Sequence, residues 1–283
     1  MYTITNFFKL SWLDYCHVPE FAGQNSLGFK IKLSKSTPYY YIKFSKSPNG
    51  FKVKSHSELT KICLNKSDLI LKYLDICYLS KSILIQDNEY NVITINPYIE
   101  IRPIGSFLNF SDKKKMYFIY RLLKGFHHLH YQGILHGDIN LQNIGVRYYY
   151  GQEIPIIFDL NLYEIDSAPK GALFCSPEFM SPELFRKNSY NIESELWAIG
   201  VLIYTITKFE IPFGSRIYGQ SIDDIKNNIT MNKIEECIHK SNLKLRPLLR
   251  NLLEIDPSKR ITIKECMRIF KGEFDFIDKI LLN

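Results

Sequence analysis

His136-Gly137-Asp138-Ile139-Asn140-Leu141-Gln142-Asn143 sets an Asp and an Asn five positions apart, directly after an amphipathic helical run. Sixteen residues beyond Asn143, Asp159 closes an apolar, strand-like run from Ile154 to Phe158 and is followed by Leu160 and Asn161. An Asp that orients a hydroxyl nucleophile, with an Asn and a second Asp that hold Mg²⁺ on a nucleotide, is a working set for phosphoryl transfer. Either fragment alone is a common coincidence. Their order, spacing and strand context together are specific.

Such side chains need a helix to deliver them. Ser111 with Asp112 marks a helix start, and Met116, Ile119, Leu122, Leu123, Phe126 and Leu129 follow at helical spacing as a core-facing stripe. Upstream, Phe29 to Leu33 and Tyr39 to Phe44 alternate as strands around a turn at Ser36-Thr37-Pro38. Before them lies Gly23-Gln24-Asn25-Ser26-Leu27-Gly28. A glycine-rich hairpin lets backbone N–H groups approach phosphate oxygens, and an ordinary turn is an equally good reading of this segment. Lys43 ends an apolar strand and Glu58 begins a helical segment. They are either a phosphate-neutralising Lys with its acidic holder or two surface charges. Alternation puts Tyr41 and Lys43 on the same face.

The 283 residues allow one large domain or two lobes sharing a cleft. The net charge of +7 is scattered, and Lys113-Lys114-Lys115 reads as a solvated helix face, so no nucleic-acid partner is expected. Six cysteines show no CxxC pairing and no His partners at metal-ligand spacing. With no leader pattern, this places the chain in a reducing intracellular compartment, cytoplasm or nucleus. No apolar run reaches the roughly 18 residues that span a bilayer, and Leu196 to Thr207 reads as a core helix.

Leu129 to Asp138 looks like the end of a kinase E helix entering the catalytic loop. Cys175-Ser176-Pro177-Glu178-Phe179-Met180-Ser181-Pro182-Glu183 resembles the end of an activation segment, with Ser-Pro-Glu for Ala-Pro-Glu. Glu195 to Val201 is similar to the start of the buried F helix, and Asp256 to Ile261 to the late segment whose Arg260 pairs with Glu183. Tyr41-Ile42-Lys43 stands in the place of Ala-Ile-Lys. The chain thus resembles a eukaryotic-type protein kinase domain, serine/threonine kinase-like, with degenerate catalytic motifs, over residues 1–283. The resemblance implies an α+β, bilobal fold. Its small β-rich N-lobe, a five-stranded antiparallel sheet with one main helix, would run over about residues 1–96. The hinge would lie at about 95–101, and a mostly helical C-lobe would occupy about 102–283.

It also implies roles. Asp138 would orient the substrate hydroxyl or accept its proton, while Asn143 and Asp159 would hold Mg²⁺. Lys43, held by Glu58, would face the ATP phosphates, with Gly23, Asn25 and Gly28 forming the phosphate hairpin and Tyr41 lying over the adenine. Several positions depart from the family pattern. Asn25 replaces the middle glycine, and Tyr41 replaces a small Ala where overpacking would obstruct a purine. Pro97 has no N–H for the adenine. Gly137 replaces the Arg that receives an activation-loop phosphate, and Asn140 replaces a Lys that offsets charge on the transferred group. Gln142 is not the Arg of tyrosine kinases. Leu160 and Asn161 replace Phe and Gly, and Glu195 replaces the Asp that caps the catalytic loop, making a less exact cap. Glu183, Arg260, Trp197, Gly200 and Pro212-Phe213 match the scaffold.

Three readings follow. The first is an ATP-dependent protein kinase acting on a protein substrate, on Ser or Thr in preference to Tyr, with weak or atypical activity. The second is a pseudokinase that serves as a binding or allosteric module. The third, a small-molecule phosphotransferase of the aminoglycoside type, shares His-Gly-Asp, but the Ser-Pro-Glu and Glu183/Arg260 features argue against it.

Overall fold

The computed structural model describes residues 21–23, 26–32, 38–47, 51–85, 88–105, 110–164, 175–187, 190–270 and 274. The chain divides into two compact units, Met1–Glu100 with Leu162–Ser167, and Ile101–Asn161 with Ala168–Asn283.

The N-terminal unit is built on β1 (Phe21–Gly23), β2 (Ser26–Lys32), β3 (Tyr39–Ser45), β4 (Asp75–Ile85) and β5 (Asn88–Pro97). They form one antiparallel sheet in the order β1-β2-β3-β5-β4, the five strands expected. Its side chains alternate along β2 and β3, with Gly28 buried as well. Leu27, Phe29, Ile31, Ile42 and Phe44 point into a core shared with Tyr90, Ile93 and Ile95, where Phe29 and Phe44 meet edge to face at 5.9 Å. The intervening Gly28, Lys30, Tyr41 and Lys43 therefore line the opposite face, with Gly28 paired to Lys43 and Lys30 to Tyr41. Residues 24 and 25, including Asn25, and residues 33–37 of the expected turn lie outside the described residues. Helix α1 (His56–Cys63) buries Ile62, and the return segment hydrogen-bonds Lys54 N–H to Leu162 O at 2.9 Å.

In the C-terminal unit, β6 (Arg102–Pro103), β7 (Ile144–Tyr149) and β8 (Gln152–Ile157) form a second small sheet. Helix α2 (Asp112–Tyr131) begins at Ser111, whose hydroxyl accepts from Lys114 N–H. All six residues of its expected stripe are buried. The helix stops where Gly133 turns at φ +70°, a left-handed conformation suited to glycine, and Ile134 N–H reaches back to Leu129 O.

The remaining helices are α3 (Pro182–Lys187), α4 (Ile192–Lys208), α5 (Ile222–Asn227), α6 (Met231–Lys240), α7 (Arg246–Leu252) and α8 (Ile263–Arg268). Helix α4 is apolar nearly all round and is buried from Ser194 to Ile206, with Trp197 stacked on Phe213 at 5.4 Å. Among the described residues no helix is long and apolar enough to cross a membrane. The expected tie between Glu183 and Arg260 is present: Arg260 Nη1 and Nη2 donate to the two carboxylate oxygens at 2.6 and 2.8 Å. The same guanidinium donates to the carbonyls of Glu193 and Glu254 and lies over the Trp197 ring.

Candidate active site

The loop that carries Asp138 lies between α2 and β7. Asn140 caps the 3₁₀ turn Leu141–Asn143: its Oδ1 accepts from Gln142 N–H at 2.8 Å and Asn143 N–H at 3.2 Å. Asn is a preferred cap because its short carbonyl reaches otherwise orphaned donors. The other end of the amide donates to Asp138 O and, at 3.1 Å, to Ser176 Oγ. Asn140 thus has a positioning role at the place where the sequence alone showed only a missing cation.

The turn aims Asn143, whose Nδ2 donates to Asp138 O at 2.8 Å and to Asp138 Oδ2 at 3.3 Å. Asp138 Oδ1 accepts from the Ser176 N–H and hydroxyl at 3.1 and 3.2 Å. The Ser176 segment is anchored in turn by Glu178, which accepts from Arg216 Nε and Arg216 N–H, both at 3.1 Å. Sequence reading gave Ser176, Glu178 and Arg216 no functional part. The first two stand inside the Cys175–Glu183 motif, so the signal was available.

Asp159 has φ +63°, in the left-handed region that Asp tolerates better than most residues. Backbone bonds on either side hold it there. Phe158 N–H donates to Asn143 O at 3.1 Å, and Asn161 N–H to His136 O at 2.7 Å. His136 joins the same net. Its Nδ1 accepts from Asp138 N–H, which leaves Nε2 to donate to Phe158 O at 3.1 Å. Burial drives the His136 pKa down; the charges of Glu195, Asp138 and Asp159 and the Phe158 carbonyl pull upward without reversing it. A neutral imidazole fits both bonds.

Glu195 is fully buried at the foot of the loop. Its Oε1 accepts from Gly137 N–H at 2.7 Å and Tyr190 Oη at 2.9 Å, and Oε2 lies 2.7 Å from His130 Nε2. The Gly137 bond is short, so the extra methylene does not loosen the cap, because Tyr190 and His130 fix the longer side chain. Burial raises the Glu195 pKa, but the His130 hydrogen bond and charge and the Gly137 N–H outweigh it and hold the carboxyl low.

Two apparent departures in the motifs prove to be one feature. Gly137 has φ +83°, and a Cβ built on it would lie 2.5 Å from Asn161 Cβ and 2.8 Å from Asn161 Nδ2. Asn161 sits where a side chain at 137 would need to be. We expect Gly137→Ala to destabilise the fold by about 1–3 kcal/mol through overpacking. In urea unfolding, a cycle with Asn161→Gly should show a coupling of about 0.5–3 kcal/mol. Strict additivity would remove the contact from the account.

In the N-terminal unit, Gly23 ends β1 and pairs with Ser26, closing the hairpin that leads to Gly28. A Cβ on Gly28 would overlap the Tyr41 hydroxyl, so the phenol runs along the sheet towards Gly28. Glu58 is the third residue of α1, and its Oε2 accepts from the Ser55 N–H at 2.9 Å and the Ser55 hydroxyl at 2.6 Å, closing a capping box. The Ser55 hydroxyl bond lowers its pKa, burial opposes, and the Ser55 N–H, Lys54 and Lys61 add to the lowering.

Asn143 and Asp159 offer hard oxygen donors of the kind Mg²⁺ takes, and with Nδ2 fixed on Asp138 it is the Asn143 amide oxygen that remains to face a cation. Among the described residues no cluster of three or more His, Cys, Asp or Glu forms a ready metal cage. Two protein ligands completed by substrate phosphates and water are the usual Mg²⁺ arrangement.

A family model described as "Protein kinase domain" matches residues 22–269. Serine/threonine-protein kinase atg1 of Dictyostelium discoideum is 29% identical over 154 residues, covering 54% of this chain and 22% of that protein. Death-associated protein kinase 2 of Homo sapiens is 29% identical over 213 residues, covering 66% and 56%. Serine/threonine-protein kinase ULK3 of Mus musculus is 29% identical over 157 residues, covering 54% and 32%. The chain spans 56% or less of each of these relatives. With an α+β fold, a hydrogen-bonded His-x-Asp loop and a family match across most of its length, the chain belongs to the protein kinase domain family.

Proposed function

We propose that this chain is an ATP-dependent protein kinase that transfers the γ-phosphate to a protein hydroxyl, Ser or Thr in preference to Tyr. The observation that carries the reading is the Asp138 carboxylate, held through Ser176 and Asn143 in a fully hydrogen-bonded loop. In this reading Asp138 orients the acceptor hydroxyl and takes its proton as the oxygen attacks. Asn143 and Asp159 would hold Mg²⁺, which would supply positive charge against that developing on the transferred phosphate. Lys43 neutralises phosphate oxygens beside the Gly23–Gly28 hairpin, with Glu58 as its acidic partner. Gln142 in place of Arg, and relatives named as serine/threonine kinases, favour Ser and Thr as acceptors. Cys63, Cys77, Cys175, Cys237 and Cys266 are free thiols, in keeping with an intracellular site of action.

A second reading, a pseudokinase acting by binding alone, has one observation in its favour: the Tyr41 ring covers Gly28. The test is transfer of label from Mg²⁺-ATP to casein, followed by phosphoamino-acid analysis. Phosphoserine or phosphothreonine should accumulate, and EDTA should abolish it. No incorporation at millimolar nucleotide would move the protein to the second reading.

A further inference from the structure

One face of the N-terminal sheet carries Lys43, Tyr41, Gly28 and Lys30, and the same parity puts Tyr39 there too. If Lys43 meets the phosphates, as the proposed function holds, the base lies farther along β3. Strand residues advance about 3.3 Å each, so Tyr41 and its neighbours fall within a ribose's reach of Lys43. Opposite Tyr41 stands Lys30, whose Nζ lies 3.8 Å from the centroid of the Tyr98 ring and 4.7 Å from that of Tyr39. The two tyrosine rings meet edge to face at 6.4 Å. Two adjoining backbone positions offer no donor. Pro97 has no N–H, and Tyr98 N–H is already engaged with Tyr39 O at 3.0 Å.

Adenine and guanine differ in the donors and acceptors on their edges, so a site tells them apart by hydrogen bonding; a site built that way rejects a mismatched partner strongly. Stacking on an aromatic ring is tolerant, because every base has a π-face. Here the donors at positions 97 and 98 are absent or engaged, and what the face offers is Tyr41 and a Lys30 ammonium caged by two tyrosines. We propose that this face takes purine nucleoside triphosphates with little distinction between adenine and guanine. The proposal rests on the phosphotransfer reading and names its donor class more broadly.

Calorimetry on the whole chain tests it with Mg²⁺-ATP, Mg²⁺-GTP and Mg²⁺-tripolyphosphate. ATP and GTP should bind within about threefold of each other, and both more tightly than tripolyphosphate. Tyr41→Ala should weaken ATP and GTP by the same factor and leave tripolyphosphate unchanged. An ATP preference of about tenfold or more overturns the proposal, as does tripolyphosphate binding as well as the nucleotides. The two ideas fail separately: labelled transfer from ATP with strong discrimination against GTP sinks this inference alone, and no binding of any of the three sinks both.

Discussion

Asp138→Asn is expected to lower labelled phosphotransfer by about 10²–10⁴-fold, the range for losing a positioned general base. The substitution is nearly isosteric. Its amide oxygen can still accept from the Ser176 N–H and hydroxyl, now 3.1 and 3.2 Å from Oδ1. What is lost is a carboxylate able to take the hydroxyl proton. The amide nitrogen would face Asn143 Nδ2, which now donates to Oδ2 at 3.3 Å, so two donors would meet. That mismatch should cost stability by about 1–3 kcal/mol. A variant that transfers within about twofold of wild type would remove Asp138 from the reaction.

Arg260→Ala should destabilise the fold by about 3–5 kcal/mol, the cost of stranding one member of a buried ion pair. The Arg260 side chain is 0% exposed and that of Glu183 14%, so water cannot readily replace the guanidinium. The carbonyls of Glu193 and Glu254 lose a donor at the same time. For a chain of this size the melting temperature should fall by roughly 6–20 °C. An unchanged value would rule out an energetic role for the pair. Burial raises the Glu183 pKa, but the Arg260 hydrogen bonds and charge outweigh it and set the folded value below 4.5. A depressed carboxyl pKa contributes stability that is present above the unfolded value and lost as pH falls through the folded one. The gap between wild type and Arg260→Ala should therefore narrow as pH drops from about 5 into the range below 4.5.

What the sequence made legible followed strong periodicities and paired motifs. The α2 stripe and the alternation of β2 and β3 are one-dimensional patterns with one packing solution, and Glu183 and Arg260 announced each other through the motifs that hold them. Relations that depend on three-dimensional proximity were hidden. Gly137 and Asn161 read as two unrelated losses because nothing in the chain says that one side chain occupies the other's space. Asn140 read as an absent charge, although Asn before a short turn is also a cap signal. Ser55 and Glu58 form the Ser-x-x-Glu pattern of a capping box, a second use for the carboxylate that the Lys43 pairing leaves out. Alternation placed Tyr41 on the Lys43 face, but the course of its ring towards Gly28 depends on a rotamer.

The contact between Gly137 and Asn161 also constrains how this protein could change over generations. Steps towards Arg at 137 and Gly at 161 are not equivalent in the two possible orders. Changing 137 first sets a new Cβ against Asn161 in a left-handed backbone, and the chain loses stability before anything is gained. Changing 161 first opens the space that position 137 needs. Such an exchange therefore has a preferred order, and each accepted change elsewhere that leans on the present pair makes it less accessible.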